Sequence, residues 1–289
     1  MFIIKYKYFF IGFSVALVLA SLFLMNLYGV KKGIDFTGGT VAEIAYTGAV
    51  PTLDIQAFEE ANMKVFQMGT STVRVITSEQ YDDIAPLMSS LLSQNNKFPF
   101  TTVTLSTVGP TLGDEMTKKA SIAIVIVVLV ILLFIAFAFR EVSLPVSSWK
   151  YGVSAMVTLV HDIIVPSGVY VLLSHFYGAE INTLFIIALL TIMAVTISDK
   201  IVVFDRIREN LKTHKNKPFA EVVGMSLTQT VARSINTSLS TVLALTALYF
   251  FGPESTQFFA LTLIVGLVVG TYSSICVASP LLVVWNKKK

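Results

Sequence analysis

The sequence predicts an α-helical integral membrane protein with six transmembrane helices and one extracytoplasmic α+β ferredoxin-like (βαββαβ) domain. Three observations predict it. Charged residues make up only 13% of the 289-residue chain and hydrophobic ones 54%, with a mean hydropathy of +0.75; a soluble domain carries about 25% charged residues. Uncharged stretches of about 20 residues, enough to cross a bilayer, recur along the chain. Residues 30–119 break that pattern, holding 10 of the 18 acidic residues and 7 of the 21 basic ones.

Residues 8–28 are uncharged, follow Lys5 and Lys7, and make the first span. A cleaved leader has a shorter apolar core, about 7–15 residues, ending at small residues. This run ends in Met25, Asn26, Leu27 and Tyr28, so an uncleaved helix is expected. Residues 29–119 form the outer domain. Within it, 41–47, 63–68, 72–77 and 101–108 read as strands from β-branched alternation, and 52–62 (capped by Thr52) and 79–94 read as helices. The order β-α-β-β-α-β is the split βαβ plan.

Spans two to six are expected at 120–139, 151–176, 181–204, 233–252 and 257–280, with a basic loop at 205–232. Residues 255–286 are uncharged throughout, too long for one straight crossing. Pro280 is therefore expected to end the sixth helix, since proline breaks a helix interior, leaving Trp285 at the interface. The amino terminus, the 140–150 loop, the 205–232 loop and the carboxyl terminus carry 12 basic residues, whereas the turns at 177–180 and 252–256 carry none. Basic short loops stay cytoplasmic, so both termini are expected inside and the 29–119 domain outside.

Composition also excludes. A net charge of +3 without a basic cluster argues against nucleic acid. A single cysteine, Cys276, rules out a disulfide framework within one chain. With no CxxC, His cluster or Gly-rich phosphate loop, no metal or other cofactor is expected, nor is an enzyme, since no nucleophile–base pair is legible.

The chemistry concentrates in residues 181–210. After 18 uncharged positions come Asp199 and Lys200, then the apolar Ile201, Val202, Val203 and Phe204, and only then Asp205, Arg206, Arg208 and Glu209. An ionisable residue at mid-span costs about 2.5–3.5 kcal/mol on insertion scales and marks function by default. The fifth span carries Arg233, Asn236, Thr237, Ser240 and Thr241, spaced so that they share one helix face, which is expected to point into the bundle. Asp199 and Arg233 can then meet at similar depth. A conformational change that joins or parts them takes up or releases a proton, because a nearby guanidinium favours the carboxylate. The rival is a static ion pair.

Asp162, with His161, is a second acid in a span; it either extends the relay or makes a packing hydrogen bond. Lys200 lies about 100° around the helix from Asp199. It snorkels to the inner surface, or neutralises Asp199 or Asp162. Thr262, Gly266, Gly270, Ser274 and Ala278, four apart, make a small-residue face for close helix packing. Residues 33–40 (GIDFTGGT) read as a tight turn on the outer face.

Residues 33–40 (GIDFTGGT), 108–115 (VGPTLGDE), His161–Asp162, 198–210 (SDKIVVFDRIREN) and 226–233 (SLTQTVAR) resemble the SecF side of the SecD/SecF family of bacterial protein-export membrane proteins, within the RND superfamily. The likeness covers essentially the whole chain in order. It implies a multi-pass inner-membrane subunit partnered by SecD, associated with the SecYEG channel and a YidC-type insertase, handling translocating polypeptide in membrane lipid. It implies that the proton motive force, with no cofactor, drives a late, ATP-independent part of export. The implied proton-path residues are Asp199 and Arg233, with a further acid from SecD. Asp35, Gly38, Gly39, Gly109, Pro110, Asp205, Arg206 and Arg208 are the family-motif residues. Two positions depart from the family pattern: Lys200 replaces a small residue and Ser198 an Asn. The competing functions are a half-size RND-type exporter and a translocon scaffold without proton coupling. Against the exporter stands an outer domain of about 90 residues, near the size of a single domain.

Overall fold

A computed structural model describes residues 2–47, 50, 53, 55–60, 62–68, 70–79, 100–138 and 147–286. The elements in chain order are α1 (Phe2–Lys5), α2 (Lys7–Tyr28), α3 (Ile34–Thr37), β1 (Gly39–Tyr46), α4 (Ile55–Glu60), β2 (Met63–Met68), β3 (Thr72–Thr77), β4 (Phe100–Val108), α5 (Pro110–Ala138), α6 (Ser148–Tyr177), α7 (Thr183–Thr213), α8 (Phe219–Phe251), a 3₁₀ turn (Glu254–Thr256), α9 (Gln257–Ser273), a π turn (Ser274–Ala278) and α10 (Ser279–Trp285). They form two compact units. One is Met1–Gly29, Ala123–Leu172 and Leu184–Lys289; the other is Val30–Ile122 with Leu173–Thr183.

Among the described residues, six helical stretches are long and apolar enough to cross a membrane. Helices are what lipid demands, because every backbone N–H and C=O must be satisfied within the segment. The first unit packs around Tyr151, Leu159, Met193, Phe204, Ile207, Leu227 and Leu282, with the Tyr151 ring edge-on to Phe204 at 5.4 Å. The small-residue face of α9 lies directly on α7. A Cβ at Gly266 would fall 2.2 Å from Ile192, and one at Gly270 2.0 Å from Thr196.

The second unit holds a four-stranded antiparallel sheet in the order β2-β3-β1-β4. This is the order the βαββαβ plan requires. Its core is Ala42, Ile44, Tyr46, Met63, Val73 and Val75, the inward residues of alternating strands, with Phe58 of α4. Glu43 and Arg74 face each other across the ladder and pair at 2.6 Å. The 79–94 helix, apart from Glu79, and Thr52 lie outside the described residues, as does Arg140.

Three boundaries differ from expectation. The 205–232 segment is mostly helical, since α7 runs on to Thr213 and α8 starts at Phe219, leaving only 214–218 as a turn. Charge marks where a span meets water, but Arg and Glu are good helix formers, and Arg206 and Glu209 pair along α7 at 2.5 Å. Helix α5 begins at Pro110, ten residues before the expected span. Pro280 does not end the sixth span. The π turn takes up an extra residue, and Pro280 sits just after it, in the first turn of α10, so the helix runs on through the proline.

Glu180 follows α6 in the second unit. Burial raises its carboxyl above the usual carboxylate range, against the opposing pull of Lys64, Arg74 and Lys31. A raised folded-state pKa contributes stability below the unfolded value, and that stability is lost as pH rises through the folded-state value. Glu180→Gln is therefore expected to raise the melting temperature at alkaline pH and leave it nearly unchanged at acid pH. An equal shift at both would contradict the burial cause.

Candidate functional site

The spans bring three groups of charged and polar side chains together in the first unit. The innermost joins α6 to α7. Asp162 and Lys200 are both fully buried, and Lys200 Nζ donates to Asp162 Oδ2 at 2.5 Å. The same ammonium donates to the Thr196 carbonyl at 3.3 Å. His161 Nδ1 lies 3.1 Å from Asp162 Oδ1, and Ser273 of α9 stands beside the carboxylate. Of the three courses open to Lys200, the structure shows pairing with Asp162: a side chain with no exposed surface does not snorkel.

The second group is Asp199 with Arg233. Asp199 is half-buried on α7 and faces α8, where Arg233 and Ser234 are its neighbours. Among the described residues no ion pair within 4 Å contains either Asp199 or Arg233. The carboxylate thus feels the Arg233 and Lys200 charges without a direct bridge. Lipid cost led us to expect the polar stripe of α8 inside the bundle, but within this chain it points outward. Arg233, Asn236, Thr237, Ser240 and Thr241 are all exposed, while Ser226, Leu227, Thr230, Ser234 and Ser238 form the buried face. Ser238 and Thr271 share a 2.5 Å hydrogen bond between α8 and α9.

The third group joins the far end of α7 to the start of α8. Gln229 Oε1 accepts from Arg206 Nε and from Asn210 Nδ2, each at 2.8 Å, and Asn210 also donates to Ser226 Oγ at 2.8 Å. Beside it is a cavity of about 300 Å³, lined by Val202, Asp205, Arg206, Glu209, Gln229, Thr230 and Arg233. Asp205 is exposed and Arg208 half-buried. Sequence reading included Asn210, Ser226 and Gln229 in the runs 198–210 and 226–233 but gave none of them a role. The available signal was an amide and a hydroxyl facing an Arg-rich stretch across a five-residue turn.

The remaining motif residues lie in the second unit. Gly38 and Gly39 have φ of 76° and 125°, values that favour glycine. A Cβ on Gly38 would fall 2.9 Å from Pro110 Cα, so the missing side chain lets the start of α5 approach. Gly109 accepts from the Gly113 N–H at 3.0 Å, inside that first turn. Asp35 Oδ2 accepts from the Thr183 N–H at 2.8 Å, satisfying an orphan donor at the start of α7. The backbone nearby is stitched by Gly33 N–H to Ile181 O at 2.8 Å and Ile181 N–H to Lys31 O at 2.9 Å. Asp35→Ala is expected to cost about 1 kcal/mol, the usual value of a side-chain cap, and Asp35→Asn much less. Urea titration of the purified protein measures both. Equal losses would mean that the cap is not what Asp35 supplies.

Residues 88–288 match the family described as protein export membrane protein SecD/SecF, C-terminal, and residues 24–50 match the SecD/SecF GG motif. The chain is 36% identical to the protein translocase subunit SecF of Thermobaculum terrenum, over 99% of this chain and 94% of that one. It is 33% identical to the SecF of Synechocystis, over 95% and 90%. A crystal structure of SecDF from Thermus thermophilus, a translocon-associated membrane protein, superposes with a TM-score of 0.83 at 31% identity. The match covers 99% of this chain and 38% of that longer one.

Proposed function

Because the chain belongs to the SecF family of protein translocase subunits, we propose that it pairs with SecD in the bacterial inner membrane and uses the proton motive force to drive a late, ATP-independent step of protein export. The wider assembly is the SecYEG channel with a YidC-type insertase, both termini being cytoplasmic and the sheet domain outside.

One observation carries the reading. Asp199 lies within electrostatic reach of Arg233 but unbridged, at the edge of a polar helix face that this chain leaves uncovered. Polar and charged side chains on a spanning helix face the bundle interior or a water-filled cavity, not lipid. A SecD helix is the cover, and it supports the pairing that relatives named SecDF carry in one polypeptide. Beneath that cover Asp199 is ionised when Arg233 is close and takes a proton when Arg233 withdraws. Each cycle moves a proton and repacks α7 against α8.

The test is export into inverted vesicles holding this chain and SecD. Export is expected to fall to the gradient-free level when a protonophore collapses the gradient. Export indifferent to the gradient would favour the scaffold reading. A cysteine at Ser240 is expected to cross-link to a SecD helix; modification by lipid-soluble maleimide alone, with no cross-link, would place lipid on that face.

A further inference from the structure

We propose that the Asp162–Lys200 pair is a fixed clasp between α6 and α7, in which Lys200 positions Asp199 toward α8 and Asp162 carries no proton. The inference rests on the relay reading of Asp199 and assigns the second buried acid a different task.

Three features of the centre point this way. First, the charges close on each other. Both Asp162 oxygens are engaged, by Lys200 Nζ at 2.5 Å and His161 Nδ1 at 3.1 Å, and both Asp162 and Lys200 have no exposed surface. A carboxylate that carries protons must exchange them with water or with a mobile partner. This one is sealed, whereas Asp199 is half-exposed and unbridged.

Second, the clasp sets a rotation. Successive helix residues are about 100° apart, so drawing Lys200 toward α6 turns Asp199 toward α8, where Arg233 stands. Val203, Phe204 and Ile207 are fully buried below Lys200. Val202 and Arg206 line the cavity against α8. One helix thus presents two inner faces, and the clasp fixes which is which.

Third, the surroundings fit an ordered pair. Thr196, one turn before Lys200, gives its carbonyl to the ammonium at 3.3 Å. Gly270 of α9 lies close enough that an added Cβ would fall 3.6 Å from Asp162 Oδ2. The titratable groups facing the pair are His161 of α6 and, with its ring 6.4 Å from His161, Tyr272 of α9.

Breaking a buried pair one partner at a time strands a charge, whereas replacing both by neutral groups of similar volume is often tolerated. The experiment compares Lys200→Met, Asp162→Asn and the double variant in SecD-containing vesicles. Export, thermal melting and carbodiimide modification of each carboxyl are read together. Each single change is expected to lower the melting temperature, because it strands a buried charge, and to cut gradient-driven export at least about tenfold, because the stranded charge disturbs the rotation that presents Asp199 to α8. The double variant is expected to recover both to within about twofold, with the wild-type pH profile, because Asn and Met of similar volume hold α6 and α7 in the same rotation without carrying a proton. In the wild type, carbodiimide, which attacks protonated carboxyls, is expected to modify Asp199 and spare Asp162.

A double variant that melts like the wild type but does not export would overturn the clasp, and so would modification of Asp162. If the double variant fails to fold, the labelling pattern decides alone. Asp199→Asn, run beside them, separates the two proposals. Export surviving that change removes the relay, while the melting data still decide whether positions 162 and 200 act as a pair.

Discussion

Asp199→Asn is expected to abolish gradient-driven export while leaving the complex with SecD assembled. The substitution keeps the shape and the hydrogen-bonding capacity of the side chain but removes its ability to ionise. Positioned proton-transfer groups contribute about 10²–10⁴-fold, so a relay without its carboxyl falls to the level seen without a gradient. Stability moves the other way. A half-buried carboxylate with no direct bridge is desolvated, and a neutral amide there costs less. The Asn variant is therefore expected to melt at or above the wild-type temperature. That combination, a stable complex with dead export, is what a packing role cannot produce. Arg233→Gln is its complement: it removes the charge that favours the carboxylate, so the proton is held more tightly and export slows most at low pH, where its release is hardest. Export and melting of the two variants, measured over a pH series, check both statements. Wild-type export by Asp199→Asn would end the relay account.

The charges inside apolar runs were legible because their chemistry is written in one dimension. Asp199 and Lys200 interrupt a span whatever the helices around them do. The sheet order was legible for a similar reason: strand lengths and alternation leave few ways to close a four-stranded βαββαβ domain. Partners were not legible. Lys200 meets Asp162 across 38 positions of sequence, and nothing local distinguishes that outcome from snorkelling or from pairing with Asp199. The α8 stripe misled for a physical reason. Lipid cost says that Arg233 and Asn236 must be covered, but not by whom, and the chain's own bundle takes the opposite face, with Ser234 and Ser238. The polar end of α7 was read as loop because charge signals water, whereas helix continuation depends on propensity and on the bonds from Arg206 and Asn210 to Gln229. Pro280 was read as a stop because a π turn leaves no mark in composition.

Gly39→Ala is expected to unfold the sheet domain at growth temperature. Two costs combine. The backbone φ of 125° lies where L side chains rarely go, a strain of about 1–3 kcal/mol. The added Cβ would also lie 2.3 Å from the Thr77 carbonyl oxygen and 3.2 Å from Ser78 Cα. Both are backbone atoms, so no rotamer change relieves the contact. Relief requires β1 to move off β3 where Thr40 pairs with Thr77. That opening would break the register from which the buried residues Ala42 and Ile44 are packed against Val73 and Val75. Gly38→Ala is the informative comparison. Its φ of 76° is nearer the ordinary left-handed region and its closest contact, 2.9 Å to Pro110 Cα, lies at the start of α5. It is expected to loosen the docking of α5 while the sheet persists. Limited proteolysis and hydrogen exchange across β1 and β3 separate the cases. Early exchange in both strands for Gly39→Ala, with protected strands for Gly38→Ala, is the expected result. Equal protection would mean that the two glycines serve one loop rather than two contacts. Export adds the functional reading: because Asp35, three positions before Gly38, caps the helix that carries Asp199, loss of the fold around Gly39 is expected to stop export even though every charge in the spans is intact.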